Sequence, residues 1–376
     1  MTSNNIKESS LITFCIATLG YGGVGKNRLT LSNKLLEEGY RVNFIMAKTS
    51  SPYLNKLNTH ISTFKLTTSH SIFALPQLSH YIKKEKPSVI FTERNRINKL
   101  TLRARYISRS KTTIFSTLHG DLSSKYNMLP DKKKKKFTLD MLKYYAQNDK
   151  IIPVSKGIEK DLIYNWGFQA KDIFTIYNPV LTENFYEKMN EDIYHPWHEE
   201  KNIPVIISVG RLEYQKDYTT LIKAFAQARQ QVKCRLLILG EGKEREKLIQ
   251  LIKDLNLEKD IDLPGFVENP YPYIKKSDLF VLSSLWEGLP TVLIEALATG
   301  TPVIATNCPY GPDEILEDGL LGRLVPVQNI DSLSQAIVES LQREAGKNEV
   351  PFEKLEKYTS GYAAKRYVEL IEEYLK

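Results

Sequence analysis

Four charged side chains in the second half of the chain have the types and spacing to handle a phosphorylated substrate. Arg211 lies in Val209-Gly-Arg-Leu212, and Lys216 stands five residues beyond it. A guanidinium fork can hold two phosphate oxygens at once, and an ammonium on a flexible stem adds a mobile point charge, so the pair suits a diphosphate. Further on, Trp286-Glu-Gly-Leu-Pro-Thr291 carries Glu287 in a loop, and Glu295 follows eight residues later inside a helical pattern. Gly288 permits close approach of a ligand, and Pro290 suits the first turn of a helix. The free NH groups of that turn, from Gly288 and Leu289 to Thr291, can receive a phosphate.

The first half offers a glycine loop, Gly20-Tyr-Gly22-Gly23-Val-Gly25-Lys26-Asn27. It nearly matches a nucleotide-hydrolysing P-loop. That motif needs a Ser or Thr after the Lys to hold magnesium, and Asn27 stands there instead. The run Pro87-Ser-Val-Ile-Phe-Thr-Glu93 ends in Glu rather than a metal-binding Asp. A P-loop-like NTPase is therefore a remote alternative. What survives is backbone that can approach a ligand closely, opening a helix whose NH groups face a phosphate or a sugar hydroxyl. His119, in Ser116-Thr-Leu-His-Gly-Asp121, sits at a strand end before a glycine, a position that favours a site role. Asp260-Ile-Asp262 looks like a metal-holding Asp-x-Asp pair. It precedes Leu-Pro-Gly-Phe and reads as a strand start with outward side chains, so no metal is assigned.

The elements that must carry these residues alternate strand and helix. Strands are expected at 11–18, 42–46, 88–91, 113–117 and 150–153, with helices at 28–38, 71–84, 95–108 and 137–147. After an irregular stretch, 177–204, the rhythm restarts with strands at 205–209, 235–239, 278–282 and 302–305. Helices are expected there at 218–230, 245–255, 291–299 and 331–341. The pattern predicts an α/β protein of two doubly wound parallel sheets. The expected domains are 1–180 and 181–359, with a last helix, 360–376, packing back on the first. Ligands in open α/β sheets bind beyond the carboxyl ends of the strands. The loops after Thr18, Thr117, Val209, Leu239 and Leu282 are therefore the expected seat of function.

Gly210-Arg-Leu212 with Lys216, Gly265-Phe-Val267, and Ser284-Leu-Trp-Glu-Gly-Leu-Pro290 with Glu295-Ala296 resemble the donor half of retaining glycosyltransferase family 4. Val154-Ser-Lys-Gly157 and Ile176-Tyr-Asn-Pro179 resemble that family's last strand of the first domain and its hinge. The resemblance implies two Rossmann-like domains facing a central cleft, the GT-B type. It implies a metal-independent hexosyltransferase whose nucleotide-sugar is a substrate and which needs no cofactor. Arg211 and Lys216 would grip the donor diphosphate, Glu295 the ribose hydroxyls, and the backbone near Val267 the base. Glu287 and His119 would contact the transferred sugar, and Gly22 and Gly23 would approach the diphosphate from the opposite domain. Asn307-Cys-Pro-Tyr-Gly-Pro-Asp-Glu314-Ile resembles a turn of bacterial surface-polysaccharide transferases that use UDP-hexose or UDP-N-acetylhexosamine. The expected acceptor is a glycan or a lipid-linked glycan. A GDP-mannose-dependent mannosyltransferase is the alternative.

Charge is divided unevenly. Residues 1–185 hold 29 Lys and Arg against 13 Asp and Glu, whereas the rest hold 23 against 31. A basic half beside an acidic one points to an anionic partner. The run Lys132, Lys133, Lys134, Lys135, Lys136 precedes a helix with an apolar stripe through Phe137, Met141, Leu142 and Tyr145. Such a pairing can rest on an anionic bilayer. Arg96, Lys99, Arg103, Arg105 and Arg109 are expected to add to that surface. Aromatic residues do not interleave the Lys run as a stacking platform would, so nucleic acid is not expected. A non-enzymatic polyanion- or membrane-binding module is a remote alternative. Cys15, Cys234 and Cys308 are widely spaced and fit a reducing compartment. No apolar run is long enough to span a bilayer. The expected location is cytoplasmic, peripheral at the inner face of the membrane.

Overall fold

The computed structural model describes residues 7–20, 23–47, 53–67, 71–200, 202–342 and 350–375. The chain divides into two units, one of residues 1–182 and 357–376, the other of residues 183–356.

The first unit holds strands β1 (Leu11–Ile16), β2 (Arg41–Met46), β3 (Ser62–Lys65), β4 (Val89–Glu93), β5 (Thr113–Leu118) and β6 (Lys150–Pro153). They pair in the order β3-β2-β1-β4-β5-β6, all parallel. The second unit holds β7 (Val205–Val209), β8 (Arg235–Leu239), β9 (Ile261–Gly265), β10 (Leu279–Leu282), β11 (Val303–Thr306) and β12 (Arg323–Val325). Their order, β12-β11-β10-β7-β8-β9, is the same winding repeated. Each sheet therefore reverses direction once, between β1 and β4 and between β7 and β10. Each reversal is a switch point at which the flanking loops part and leave room for a ligand. Both expected doubly wound sheets are present.

The helices used below are α1 (Gly23–Glu37), α2 (Ser71–Glu85), α3 (Asn95–Ser108), α4 (Leu122–Asn127), α5 (Asp131–Tyr145), α6 (Tyr218–Arg229), α7 (Arg245–Asp254), α8 (Thr291–Ala298), α9 (Ile330–Gln342) and α10 (Ser360–Leu375). Central strands are buried on both faces: every residue of β1, β4 and β10 is buried, and β10 is an unbroken apolar run. Phe14, Phe91 and Phe115 line one face of the first sheet, with adjacent ring centroids 5.3 and 5.4 Å apart. Helix α10 closes that face. Tyr367 meets Phe91 edge-on at 5.4 Å, and Tyr374 meets Phe115 at 5.1 Å. Edge-to-face aromatic contacts add about 0.5–1.5 kcal/mol each beyond area burial, which accounts for a chain end folding back.

The lysine run departs from expectation. Lys132–Lys136 lie inside α5, not in a loop before it. Pro130 precedes the first turn, Asp131 lies in that turn, and Lys134 pairs with Asp131 three residues back. Lysine propagates a helix well, so the run continues into it. The expected apolar stripe also divides. Met141 and Tyr145 are core residues. Phe137 packs on Trp166 at 5.7 Å and on Tyr126 at 6.5 Å. Leu142 faces outward with Leu139. The basic residues of α3 are partly engaged by α5 and the segment after it: Lys99 pairs with Asp140, Arg103 donates to the Tyr144 hydroxyl, and Arg105 pairs with Asp149. Cys15, Cys234 and Cys308 are free and buried. No helix among the described residues is long and apolar enough to cross a membrane.

Candidate active site

In the second unit the switch point brings the β7 loop and the β10 loop together. Backbone and side chains knit them. Leu285 NH donates to the Gln215 carbonyl at 2.8 Å, and Gln215 Nε2 donates to the Trp286 carbonyl at 2.7 Å. Ser283 Oγ donates to the Lys216 carbonyl at 2.7 Å. The register so fixed places Lys216 Nζ 2.5 Å from Glu287 Oε1, and Ser284 Oγ donates to the same oxygen at 2.6 Å. Lys216 and Glu287 side chains are 14% and 8% exposed. A close pair this dry is strongly coupled, because little water screens it. Arg211, on the same loop, is exposed and forms no ion pair or side-chain hydrogen bond among the described residues.

The β10 loop is braced from behind. Glu287 NH donates to the Pro309 carbonyl at 2.7 Å, and Thr306 Oγ1 donates to the Ser284 carbonyl at 2.6 Å. Gly311 has φ +103°, and a Cβ there would lie 2.7 Å from Pro290 Cδ. Only glycine permits this approach, which explains the residue's place in the Asn307–Ile315 turn. Gly288, Leu289 and Pro290 are buried, and Thr291 opens α8. Glu295, in the second turn of α8, is buried and accepts from the Tyr271 hydroxyl at 3.2 Å. Tyr271 is held in turn by Phe185, ring centroids 4.6 Å apart. Val267 follows β9 and is half-buried. Lys216, Glu287 and Arg211 thus gather at one switch point, with the Gly288–Thr291 turn and Glu295 following in the same loop and helix.

Both carboxylates of the Asp-x-Asp pair are engaged by side chains. Asp260 pairs with Arg229 at 2.8 Å, and Asp262 lies 3.2 Å from His195 Nε2. No group of three His, Cys, Asp or Glu side chains among the described residues could hold a metal ion.

In the first unit, α1 begins at Gly23; Gly22 lies outside the described residues. A Cβ on Gly25 would come 2.3 Å from the Gly20 carbonyl oxygen, so glycine is required for the tight strand-to-helix turn. His119 follows β5. Asp121 caps α4 through Ser124 NH, and the buried Asp161 accepts from Leu122 NH at 2.9 Å. The loop carrying His119 is thereby pinned on its far side.

Beneath His119 lies a pair that sequence reasoning missed. Arg28, from α1, is buried and donates through Nε to Glu93 Oε1 at the end of β4. Arg28 Nη2 is 3.3 Å from His119 Nε2, and Glu93 Oε1 is 3.5 Å from the same nitrogen. Burial alone would raise the Glu93 carboxyl, yet the Arg28 charge and hydrogen bonds from His119 and Arg28 bring it down to about 2. Burial lowers the His119 pKa, Glu93 opposes that, and Arg28 and Arg94 reinforce it. The available signal was Glu93 itself, a carboxylate closing an apolar strand at the switch point.

Comparison with known proteins bears on both units. The family model "Glycosyltransferase Family 4" matches residues 21–184, and the model "Glycosyl transferases group 1" matches residues 190–365. A Campylobacter jejuni N-acetylgalactosamine-N,N'-diacetylbacillosaminyl-diphospho-undecaprenol 4-alpha-N-acetylgalactosaminyltransferase is 38% identical over 217 residues, 57% of each chain. A lipopolysaccharide 1,6-galactosyltransferase of Escherichia coli is 32% identical over 197 residues, 50% of this chain and 52% of that one. This chain thus spans little more than half the length of these curated relatives. The crystal structure of Anabaena HepE in complex with UDP superposes with a TM-score of 0.77 at 19% identity, covering 96% of this chain and 99% of that one.

Proposed function

The chain belongs to glycosyltransferase family 4 and has the GT-B type of fold, and on that premise we propose that it transfers a hexose or N-acetylhexosamine from a UDP-sugar to a glycan or lipid-linked acceptor in bacterial surface-polysaccharide synthesis. The observation that carries this reading is the Lys216–Glu287 pair at the second switch point, with the Arg211 guanidinium, exposed and unpaired among the described residues, on the same loop. Two cations and a helix-opening turn fit a diphosphate, and a carboxylate beside them fits the hydroxyls of the attached sugar. The acceptors named for the C. jejuni and E. coli relatives, and the UDP bound by the Anabaena protein, support the acceptor class and the base.

In the proposed reaction the bond between the anomeric carbon and the β-phosphate oxygen breaks as the acceptor oxygen bonds that carbon. The acceptor's proton passes to the departing phosphate oxygen on the same face, so configuration is retained. Negative charge grows on the diphosphate. Lys216, Arg211 and the NH groups of the Gly288–Thr291 turn stabilise it as preorganised donors, without a metal. Glu295, held by Tyr271, takes the ribose hydroxyls, and the backbone at Val267 meets the base. Glu287 and His119 orient the sugar, and the Gly23 turn approaches the diphosphate.

The site also needs an acceptor delivered to it. On α5, Lys132, Lys135, Lys136, Leu139, Leu142 and Lys143 recur at three- and four-residue spacing, and all are exposed. This face, rather than the Phe137–Tyr145 stripe, is the one proposed to rest on anionic lipid. Docking there would place the protein peripherally at the cytoplasmic face of the membrane.

The decisive experiment is a thermal-shift panel of nucleoside diphosphates and their sugars. A ligand at a hundredfold excess over its dissociation constant stabilises by about 2.7 kcal/mol. UDP and a UDP-sugar should raise the melting point and GDP should not; the reverse preference would move the donor to a GDP-sugar. Inversion of the anomeric centre in the product, read by proton NMR, would overturn the mechanism.

A further inference from the structure

A buried ion pair generally stabilises no better than well-packed apolar residues, so its presence under a site residue needs an explanation. Arg28 and Glu93 form such a pair. The guanidinium lies over the Phe14 ring, 5.6 Å from its centroid, and Nη1 is 3.5 Å from the Tyr367 hydroxyl of α10. Its remaining arm, Nη2, faces His119 Nε2. Four segments distant in sequence, α1, the end of β4, the end of β5 and α10, meet at this one guanidinium.

We propose that Arg28 and Glu93 are positioning residues for His119: together they aim its ring and hold it as a neutral imidazole. The proposal rests on the reading of His119 as a contact of the transferred sugar. Arg28 Nη2, which can only donate, and Glu93 Oε1, which can only accept when ionised, both face His119 Nε2 and so fix the direction of the ring. Glu93 balances the charge of Arg28. Without it the imidazole would sit beside an uncompensated cation, and without Arg28 beside an uncompensated anion. The charged groups acting on His119 are Arg28 from α1 and Glu93 and Arg94 from the end of β4; the neutral Tyr367 faces the guanidinium from α10. A pair of opposite charges keeps the imidazole neutral by offsetting each other's pull on its proton.

The test exploits opposite signs. The His119 titration is followed by the imidazole Cε1 proton in the full-length chain, with His119→Gln used to assign the signal. Glu93→Gln leaves Arg28 unopposed and should lower the midpoint further. Arg28→Met leaves Glu93 unopposed and should raise it toward or above the ordinary value of 6.5. The two variants should differ by at least about tenfold in proton affinity. The acid limb of kcat/KM should move with each midpoint, upward in Arg28→Met and downward in Glu93→Gln. Arg28→Met/Glu93→Gln should fall between them. A purely structural role gives a different result: loosened packing admits water and raises both midpoints together. Shifts of the same sign in both single variants, or no shift in either, would overturn the proposal. If Arg28→Met does not fold, Arg28→Lys keeps the charge and should stay near wild type while Glu93→Gln alone moves down; any other order overturns it. The titration needs no donor sugar. Opposite shifts combined with full activity in His119→Gln would uphold the positioning role and defeat the sugar-contact reading instead.

Discussion

Replacing Lys216 by alanine should separate stability from activity in a way that tests the second switch point directly. Lys216 and Glu287 form a largely desolvated pair, and the carboxylate's other named partner is Ser284 Oγ. Deleting one member of a buried pair destabilises by about 3–5 kcal/mol, because the other charge is left without compensation. Ser284 remains, and Lys216 is not wholly buried, so a loss at or just below that range, about 2–3 kcal/mol, applies here. For a unit of this size 1 kcal/mol moves Tm by roughly 2–4 °C, giving a fall of about 4–12 °C. Lys216→Ala/Glu287→Gln removes the stranded charge and should recover a large part of that loss. Activity should not recover, since the leaving diphosphate still lacks its cation; turnover should stay about 10²–10³-fold down in both variants. The assay is calorimetry on the two single variants and the double, completed by turnover with a verified donor. A coupling energy above about 1 kcal/mol is expected. Additivity within about 0.5 kcal/mol would show that the pair is not energetically real, and near-normal turnover in Lys216→Ala would refute its phosphate role.

Glu295→Gln should weaken donor binding more than it lowers kcat, because the ribose is remote from the reacting bond. Tyr271→Phe should do the same to a smaller degree, about 2–10-fold, since it removes one hydrogen bond to Glu295; equal donor affinity in wild type and Glu295→Gln would count against the ribose role. Turnover should persist in excess EDTA, and complete loss restored by manganese would reveal a metal requirement. Glu93 has a folded pKa near 2 against an ordinary 4.5, so the stability it contributes is present above pH 4.5 and lost as pH falls toward 2. Thermal melts across that window should fall more steeply in wild type than in Glu93→Gln, and parallel curves would contradict the assignment. Liposome flotation should rise with anionic lipid, fall with salt, and weaken when Lys132–Lys136 become Ser; unchanged flotation of that variant would remove α5 as the docking face.

Legibility in the sequence followed burial. β7, β8 and the central strands are apolar on both faces, so composition alone marks them. β3 and β12 escaped notice because they are edges of four and three residues, too short for a pattern, with β3 exposed or half-exposed throughout and only Val325 of β12 buried. The clustering of charged residues at the second switch point was legible because they lie on short, contiguous segments: Arg211 and Lys216 on one, Glu287 to Glu295 on the next. Their pairing was not, since it depends on the parallel register of β7 and β10, which sets Lys216 against a residue 71 positions away. The same limit hid the support of His119. Arg28 reads as a routine helix residue, Glu93 as a failed metal ligand and Tyr367 as part of an amphipathic terminal helix; no local pattern joins positions up to 339 apart. α5 failed for a different reason. A lysine run and the apolar residues after it look like two segments in one dimension. On a helix they separate by direction instead, Met141 and Tyr145 inward and the lysines with Leu139 and Leu142 outward, and only the packing of Phe137 on Trp166 decides which way the helix is turned.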